Sequence, residues 1–285
     1  MTLSMTMSLL GGLALFLYGM KLMGEGLEKA AGDRLKRLLE SLTRNPLMGL
    51  LVGVVFTMII QSSSATTVMV VGFVNAGLLD LMQATGVILG ANIGTTVTAW
   101  IVAGFQATAF MPLILLIGVA MMMFLKKLKL QRVGQVIAGF GMLFVGMGIM
   151  SDAMKPLAES AEFARLMTAF SNPIMALLVG VAVTAIIQSS SASVGILEML
   201  AIQGLVPLET SLYIIMGTNI GTCVTAMLSA VGATRTAKRA ALIHLMFNVL
   251  GTLVVFILVS LLPVSTWIGH INGPALQIAV AHTSF

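Results

Sequence analysis

The chain contains nearly the same polar segment twice, each time in the middle of a long apolar run. Residues 61–67 read Gln-Ser-Ser-Ser-Ala-Thr-Thr and residues 188–194 read Gln-Ser-Ser-Ser-Ala-Ser-Val, inside runs over 46–79 and 173–206. Polar side chains inside a membrane-length segment are costly and usually mark a binding site or an ion path. Small polar residues also serve close helix packing, but two matching segments in the same context favour function.

These two segments belong to a longer internal repeat with an offset of 127 residues. Residues 19–99 align without a gap on residues 146–226, and both copies end on a second shared box, Asn92-Ile-Gly-Thr and Asn219-Ile-Gly-Thr. Self-similarity at a fixed offset indicates duplication of one structural unit. The chain is therefore predicted to consist of two copies of that unit.

Composition identifies the class of protein. Hydrophobic residues make up 58% and charged residues 9% of the chain, whereas soluble domains carry about 25% charged residues. The apolar segments are long and continuous, which indicates membrane helices and not a barrel.

Cys223 is the only cysteine, so an intrachain disulfide is excluded. The basic residues fall in short loops, where they set membrane orientation, so nucleic acid is not an expected partner.

The run 46–79 is too long for one crossing, which needs about 20 residues. The polar box cuts it into halves of about 15 residues, each too short to cross about 30 Å of hydrocarbon. The sequence therefore predicts a re-entrant hairpin of two half-helices with the serines at its tip, and the same for 173–206. Serine is a good N-cap, so the second half-helix is expected to begin there.

The predicted fold is an all-α integral membrane protein made of two inverted-topology repeats. Each repeat has an interfacial amphipathic helix, a re-entrant helical hairpin and three crossings, the second of them interrupted at the Asn-Ile-Gly-Thr box. The expected boundaries are repeat unit 1 over 1–125, a cytoplasmic basic linker over 126–132, repeat unit 2 over 133–262, and a loop with the start of a further helix over 263–285. The crossings are expected at 3–23, 81–105, 109–125, 133–150, 208–231 and 240–262, with amphipathic segments at 24–45 and 151–172.

Charge supports the inversion. Three crossings per unit place the second unit upside down relative to the first. Segment 24–45 has an excess of basic residues and its counterpart 151–172 has an excess of acidic ones. With the N-terminus outside, the basic segments all lie on the cytoplasmic side, as the positive-inside rule requires. Inverted repeats with broken helices that meet at the midplane are typical of secondary transporters.

The paired tips offer hydroxyls, Gln amides and the free N–H groups of a starting half-helix. Such helix ends bind anions without a fixed cation. The oxygens of Gln, Asn, Ser and Thr are also ligands for hard cations, so a sodium ion beside the anion is physically natural.

The paired Gln-Ser-Ser-Ser-Ala and Gly-x-Asn-Ile-Gly-Thr boxes resemble the type II sodium-dependent phosphate cotransporter family, and the chain is similar to a bacterial member over about residues 10–260. The resemblance implies sodium-driven phosphate uptake by alternating access. It implies phosphate binding by Gln61, Ser62, Ser63, Ser64, Gln188, Ser189, Ser190 and Ser191. It implies sodium binding by Gln61, Ser64, Asn92, Thr95, Gln188, Ser191, Asn219 and Thr222, with Thr57 and Thr184 as further candidates.

Two titratable residues stand out in the apolar runs. Glu198 lies where the first unit has Val71, which suggests a coupling carboxylate; a hydrogen-bonded or snorkelling Glu is the alternative. His244 is a candidate pH sensor, and a packing histidine is the alternative.

The expected function is a sodium:phosphate symporter in the inner or plasma membrane, and not an enzyme. Its expected partners are inorganic phosphate, sodium as the only metal, and the lipid bilayer; no cofactor is expected, and a homodimer is left open. A carrier for another oxyanion such as sulfate is the alternative. An intramembrane serine hydrolase using His244 is a remote one, because two symmetric serine triplets do not pair with one base. A third alternative is a channel or phosphate receptor built on the same fold.

Overall fold

The computed structural model describes residues 3–31, 45–105, 109–158 and 172–285, and this part of the chain is all α-helix without strands. It holds thirteen helices: α1 (Leu3–Ala31), α2 (Pro46–Ile60), α3 (Ser63–Asn75), α4 (Leu81–Thr95), α5 (Val97–Gly104), α6 (Met111–Phe124), α7 (Leu128–Ala158), α8 (Pro173–Ile187), α9 (Ser190–Ile202), α10 (Leu208–Ser229), α11 (Arg235–Leu261), α12 (Val264–Gly269) and α13 (Pro274–Ser284). The expected all-α class is confirmed.

The helix bounds repeat with the offset of the sequence. Helices α2 and α3 coincide with α8 and α9 after a shift of 127 residues, and α4 and α10 begin at equivalent leucines. The local cause is the same in both copies. Asn45 and Asn172 cap α2 and α8 by accepting hydrogen bonds from the backbone N–H of Leu47 (3.0 Å) and Ile174 (2.9 Å). Proline follows each cap at the first helical position, where its missing N–H costs nothing.

Helices α2 and α4 pack in parallel through glycines. A Cβ added at Gly86 would lie 2.3 Å from the Pro46 carbonyl oxygen, and one added at Gly94 would lie 2.5 Å from that of Val54. Glycine is required here because the backbones touch. Since both helices run the same way, the chain between them must return, and α3 makes most of that return. Helices α8 and α10 repeat the arrangement at Gly217.

Helices α1 and α7 occupy equivalent places in the two copies and pack antiparallel. A Cβ added at Gly12 would lie 2.9 Å from the Gly146 carbonyl oxygen, and one added at Gly19 would lie 2.8 Å from that of Gly139. Gly12 and Gly139 are repeat equivalents, as are Gly19 and Gly146. The contact is therefore the same from either side, as a two-fold relation requires.

The second crossing of each unit was predicted to be interrupted. This prediction is wrong for the second unit, and in the first unit the interruption is a single residue. Helix α10 runs unbroken through the Asn-Ile-Gly-Thr box, and in the first unit only Thr96 separates α4 from α5. Threonine hydroxyls in these boxes donate to carbonyls within their own helix, as Thr222 does to Thr218 at 2.9 Å. Tight packing of the neighbouring glycines holds the backbone helical, so the box does not unwind.

Five helices are long and apolar enough to cross a membrane, judged by length and composition among the described residues: α1, α4 with α5, α7, α10 and α11. The expected crossing at 109–125 corresponds to α6, which has 14 residues and falls short of that length. These helices fit a multi-pass membrane protein.

Several predicted boundaries shift. Helix α1 continues past 23 to Ala31, and α7 begins at Leu128, inside the expected linker, and continues past 150 to Ala158. The rest of the two predicted amphipathic segments, 32–44 and 159–171, lies outside the described residues. Beyond 263 the chain forms α12 and α13, and α13 packs against α5, α9 and α10.

Candidate functional site

Each Gln-Ser-Ser-Ser box begins with a glutamine in a strained backbone conformation. Gln61 ends α2 with a φ of 58° and Gln188 ends α8 with a φ of 59°. No other non-glycine residue in the described ranges has a positive φ. Such conformations cost an L-residue free energy and cluster at functional sites. The same strain at equivalent positions of both copies makes the two boxes candidates for a functional site.

The second residue of each box begins the next helix. Ser62 and Ser189 have extended backbones, and their hydroxyls accept hydrogen bonds from the backbone N–H of Ala65 (3.1 Å) and Ala192 (3.2 Å). The predicted serine caps are confirmed. The other N–H groups of the first turn have no partner within their own helix, so the starts of α3 and α9 are positive ends of helix dipoles.

The two boxes meet in the fold although 124 residues separate the contacting pair. The hydroxyl of Ser64 donates to the backbone carbonyl of Gln188 at 3.1 Å. Thr98 on α5 donates to Oε1 of Gln61 at 2.7 Å and lies 3.4 Å from Oγ of Ser191. Both units therefore contribute to one polar cluster, which holds three side-chain oxygens close together.

Thr98 was not among the predicted site residues. The sequence did offer a signal for it, because a threonine recurs at the equivalent position, Thr225, at the end of the second shared box. The structure breaks the symmetry at this pair: the buried hydroxyl of Thr225 has no hydrogen-bond partner. Sequence alone does not show this difference, because the two residues occupy equivalent positions in nearly identical local motifs.

A cavity of about 470 Å³ opens beside the boxes. It is lined by Gln61, Ser62 and Ser189 on one side, and by Lys21, Glu25 and Glu28 of α1 on the other. Lys21 and Glu25 are 3.9 Å apart. The cavity thus leads from charged residues of α1 to both serine caps.

Thr57 and Thr184 are fully buried one turn before the glutamines. The Thr57 hydroxyl is 2.9 Å from that of Thr66. The Thr184 hydroxyl has no hydrogen-bond partner. The second unit has Ser193 in place of Thr66. Both hydroxyls donate to the carbonyl of the capping serine, Thr66 to Ser62 at 2.9 Å and Ser193 to Ser189 at 3.0 Å.

Asn92 and Asn219, the predicted sodium ligands of the second boxes, come together elsewhere. Both line a cavity of about 270 Å³, together with Asn248 and His282. Asn92 donates to Asn248 Oδ1 at 3.2 Å. The hydroxyls of Thr95 and Thr222 donate to carbonyls of their own helices. In the described part of the chain the asparagines therefore form a separate cluster, which makes no hydrogen bond to the serine boxes.

His244 belongs to this second cluster. Its Nε2 is 3.4 Å from Oδ1 of Asn92, and its Nδ1 is buried without a partner. It makes no hydrogen bond to a serine of either box, so the geometry of a serine hydrolase is absent from the described residues. Glu198 is fully buried in α9, and neither carboxylate oxygen has a hydrogen-bond partner.

A model of the family described as Na+/Pi-cotransporter matches residues 15–152 and again residues 145–264. The chain belongs to this family. The two matches correspond to the two copies of the repeat, and the family is one of transporters, not of enzymes.

The chain is also similar to curated proteins, two of which have names that refer to phosphate. The chain is 36% identical to "Uncharacterized protein YqeW" of Bacillus subtilis over 84% of this chain and 78% of that protein. It is 28% identical to "Putative inorganic phosphate export protein YjbB" of Escherichia coli K12 over 95% of this chain, which spans half of that protein's length. It is 40% identical to rat "Sodium-dependent phosphate transport protein 2A" over 35% of this chain and 16% of that protein. No solved structure matches significantly.

Proposed function

We propose that this chain is a sodium-coupled carrier of inorganic phosphate that works by alternating access. The observation that carries the proposal is the meeting of two equivalent strained boxes beside one cavity, with Ser62 and Ser189 both lining it. Family membership supports phosphate as the substrate. The rat relative's name, which specifies sodium-dependent phosphate transport, supports sodium as the coupling ion.

Phosphate binds at the starts of α3 and α9 in this proposal. Two helix N-termini supply unpaired N–H groups and partial positive charge, which suit an oxyanion. The serine hydroxyls of the boxes, Ser62 to Ser64 and Ser189 to Ser191, add neutral donors. Lys21 is the cationic residue that lines this cavity; since it is paired with Glu25, it adds little net charge. A site of neutral donors can release its anion in each cycle.

Sodium binds among the oxygens beside the phosphate. Gln61 Oε1 and Ser191 Oγ both lie within hydrogen-bonding distance of Thr98 Oγ1, and neutral oxygens of this kind are ligands for hard cations. The unpartnered hydroxyl of Thr184 supports a second contribution from α8. The cluster around Asn92 and Asn219 is the candidate for an additional sodium ion.

The two copies are inverted repeats with re-entrant hairpins. The antiparallel, two-fold contact of α1 with α7 supports the inversion. The parallel packing of α2 with α4 supports a hairpin, since α3 returns the chain to the level at which α2 began. Serine-bearing tips of such hairpins then lie near the middle of the membrane, where irregular backbone is tolerated only beside protein or a cavity.

Two cavities at equivalent positions support alternating access. The large cavity is lined along α1 by Leu17, Met20, Lys21, Gly24, Glu25 and Glu28. A second cavity of about 260 Å³ is lined along α7 by the six residues at the same repeat positions, from Phe144 to Lys155. Because α1 and α7 are antiparallel, these cavities lie at opposite ends of the helix pair. The first reaches the boxes, and the second ends on Phe105, Phe144 and Met199.

This arrangement corresponds to a carrier open on one side. With the N-terminus outside, the end of α1 that lines the large cavity is cytoplasmic, so the state is inward-facing. Phe105 and Phe140 pack edge to face with ring centroids 5.2 Å apart, and Phe144 packs against Phe140 at 4.9 Å. These rings close the outer side. The carrier is placed in the cell membrane, and a homodimer remains a candidate assembly.

Phosphate export is the second candidate function. The name of YjbB favours export, and the alignment with that protein covers nearly all of this chain. Sodium-coupled symport runs inward under a normal sodium gradient, so export needs either a different coupling or a reversed gradient. Another oxyanion such as sulfate is a further alternative for the same donors.

Reconstitution into liposomes tests the function. Labelled phosphate uptake is measured with an inward sodium gradient, and again with potassium in place of sodium. We expect uptake that requires sodium and is abolished by Gln61→Ala and Ser190→Ala. Uptake indifferent to sodium would reject the coupling. Efflux from phosphate-loaded liposomes in the complete absence of sodium would favour export, and competition by sulfate would favour the broader oxyanion carrier.

A further inference from the structure

Glu198 is a buried acidic residue that makes no hydrogen bond through its carboxylate to any of the described residues. Its side chain is fully buried, and both carboxylate oxygens lack a hydrogen-bond partner. Its neighbours along α9, Leu197, Met199 and Ala201, belong to the apolar core. An ionised carboxylate in such surroundings is strongly unfavourable, since a buried charge needs a partner.

The helices that pack against α9 supply no partner. They are α5, α7, α8, α10 and α13. Their described titratable or charged groups on this half of the fold are Asp152, Lys155, Glu209, Tyr213, Cys223 and His282. None of them hydrogen-bonds to Glu198. Helix α1 reaches α9 through Phe16, whose ring lies 2.6 Å from a Cβ added at Gly195, and this contact is apolar.

The position of Glu198 connects the candidate site to the second cavity. One face of α9 carries Ser191, Glu198 and Ile202, because Glu198 follows Ser191 by seven residues and Ile202 follows it by eleven. Ser191 lies beside Thr98 in the polar cluster. Ile202 and Met199 line the cavity of about 260 Å³ on the closed side. The carboxyl group therefore lies between the substrate cluster and the cavity that has to open in the other state.

The first unit shows that packing does not require an acid here. Its equivalent residue is Val71, which is also buried. A role in filling space would be met by valine in both units. The buried acid therefore distinguishes the second unit from the first. The unpaired hydroxyl of Thr225 is another such difference.

We propose that Glu198 is a proton-binding site of the transport cycle, resting on the proposed function as a carrier. A hydronium ion of the solvent gives its proton to one carboxylate oxygen and becomes water, so the side chain changes from a charge of −1 to neutral, and no other group of the protein gains or loses a proton. The neutral form occupies the arrangement described here. Opening of the second cavity exposes the carboxyl group to water and lets it release the proton. Sodium needs several oxygen ligands, and no hydroxyl group among the described residues hydrogen-bonds to either carboxylate oxygen.

Infrared difference spectroscopy tests the proton site without transport. Purified protein in lipid vesicles is compared at neutral and alkaline pH. The wild type is expected to show the C=O stretching band of a protonated carboxylic acid at neutral pH, and Glu198→Gln is expected to lack it. Glu209→Gln is the matched control, because Glu209 is an exposed acid at the start of α10, and the band is expected to remain. Absence of the band from the wild type, or its persistence in Glu198→Gln, would overturn the proposal.

The pH dependence of transport tests the role in the cycle. Sodium-driven phosphate uptake is measured at equal pH on both sides, from mildly acidic to mildly alkaline. Phosphate speciation is the same for both proteins, so the ratio of wild-type to Glu198→Gln rates isolates the carboxyl group. We expect this ratio to change with pH by up to about tenfold per unit, the limit for one titrating group. Superimposed profiles would overturn the role in the cycle.

Two further results separate failure of the proton site from failure of the proposed transport function. Glu198→Val installs the residue of the first unit and is expected to remain folded, with the same pH profile of uptake as Glu198→Gln. If neither protein transports phosphate, the proposed function fails, and the infrared band still decides whether Glu198 holds a proton.

Discussion

The Ser64 hydroxyl donates a hydrogen bond to the Gln188 backbone carbonyl at 3.1 Å, across the boundary between the two copies of the repeat. The bond ties the start of α3 to the end of α8. The acceptor belongs to one of the two non-glycine residues that have a left-handed conformation in the described part of the chain. A movement that separates the copies must break this bond.

Ser64→Ala tests the importance of this link. Loss of one hydrogen bond costs about 1 kcal/mol, so we expect thermal unfolding to shift down by about 2–4 °C. Sodium-driven phosphate uptake is expected to fall as well. Ser229→Ala is the control, because the Ser229 hydroxyl donates to the Ala226 carbonyl of its own helix at 2.8 Å. Equal effects of the two substitutions would argue against a special role of the link.

Gln61→Gly and Gln61→Ala separate backbone strain from side-chain function. Both remove the acceptor of the Thr98 bond, but only glycine relieves the positive φ. We expect the glycine variant to be more stable than the alanine variant by about 1 kcal/mol, and both to lose uptake. The same pair at Gln188, whose φ is nearly identical, should show a similar stability difference. Thermal unfolding and uptake are measured in parallel.

Thr98→Val and Thr225→Val compare equivalent threonines with different partners. Thr98→Val removes the donor to Gln61, so we expect uptake to fall by about tenfold or more, as the loss of a buried hydrogen bond allows. Thr225→Val removes a hydroxyl that has no partner, so it should leave stability unchanged or raised. Uptake by Thr225→Val close to wild type, with loss in Thr98→Val, is the expected pattern. The reverse pattern would place the functional hydroxyl in the second unit.

Gly90→Ala tests the backbone contact of α4 with α2. The new Cβ would lie 2.0 Å from the Leu50 carbonyl oxygen, and this backbone atom cannot move aside alone. We expect a loss of stability of about 1–3 kcal/mol, typical of overpacking. Gly72→Ala in α3 is the control, because nothing lies within 4 Å of its added Cβ. Its stability should rise by about 0.5–1 kcal/mol. Unfolding midpoints in detergent measure both.

Much of the local structure could be predicted because it depends on neighbouring residues. Asp80 forms the expected N-cap of α4, accepting from Gln83 N–H at 2.8 Å. The serine caps at 62 and 189 follow from the same chemistry. The expected unwinding at Asn92 and Asn219 was wrong because it considered only propensity. Glycine contacts between helices keep those segments helical, and such contacts depend on residues distant in sequence.

The sequence by itself determined the membrane class, the duplication, the helix ends and the residue types of the site, because apolar length, periodicity and capping are local properties. Only the tertiary structure decided which polar groups meet. It joined Ser64 to Gln188 and Thr98 to Gln61, separated Asn92 from the serine boxes, and left Glu198 without a partner. Two copies of one motif cannot reveal such asymmetry, because a hydrogen bond or its absence depends on the packing of distant helices.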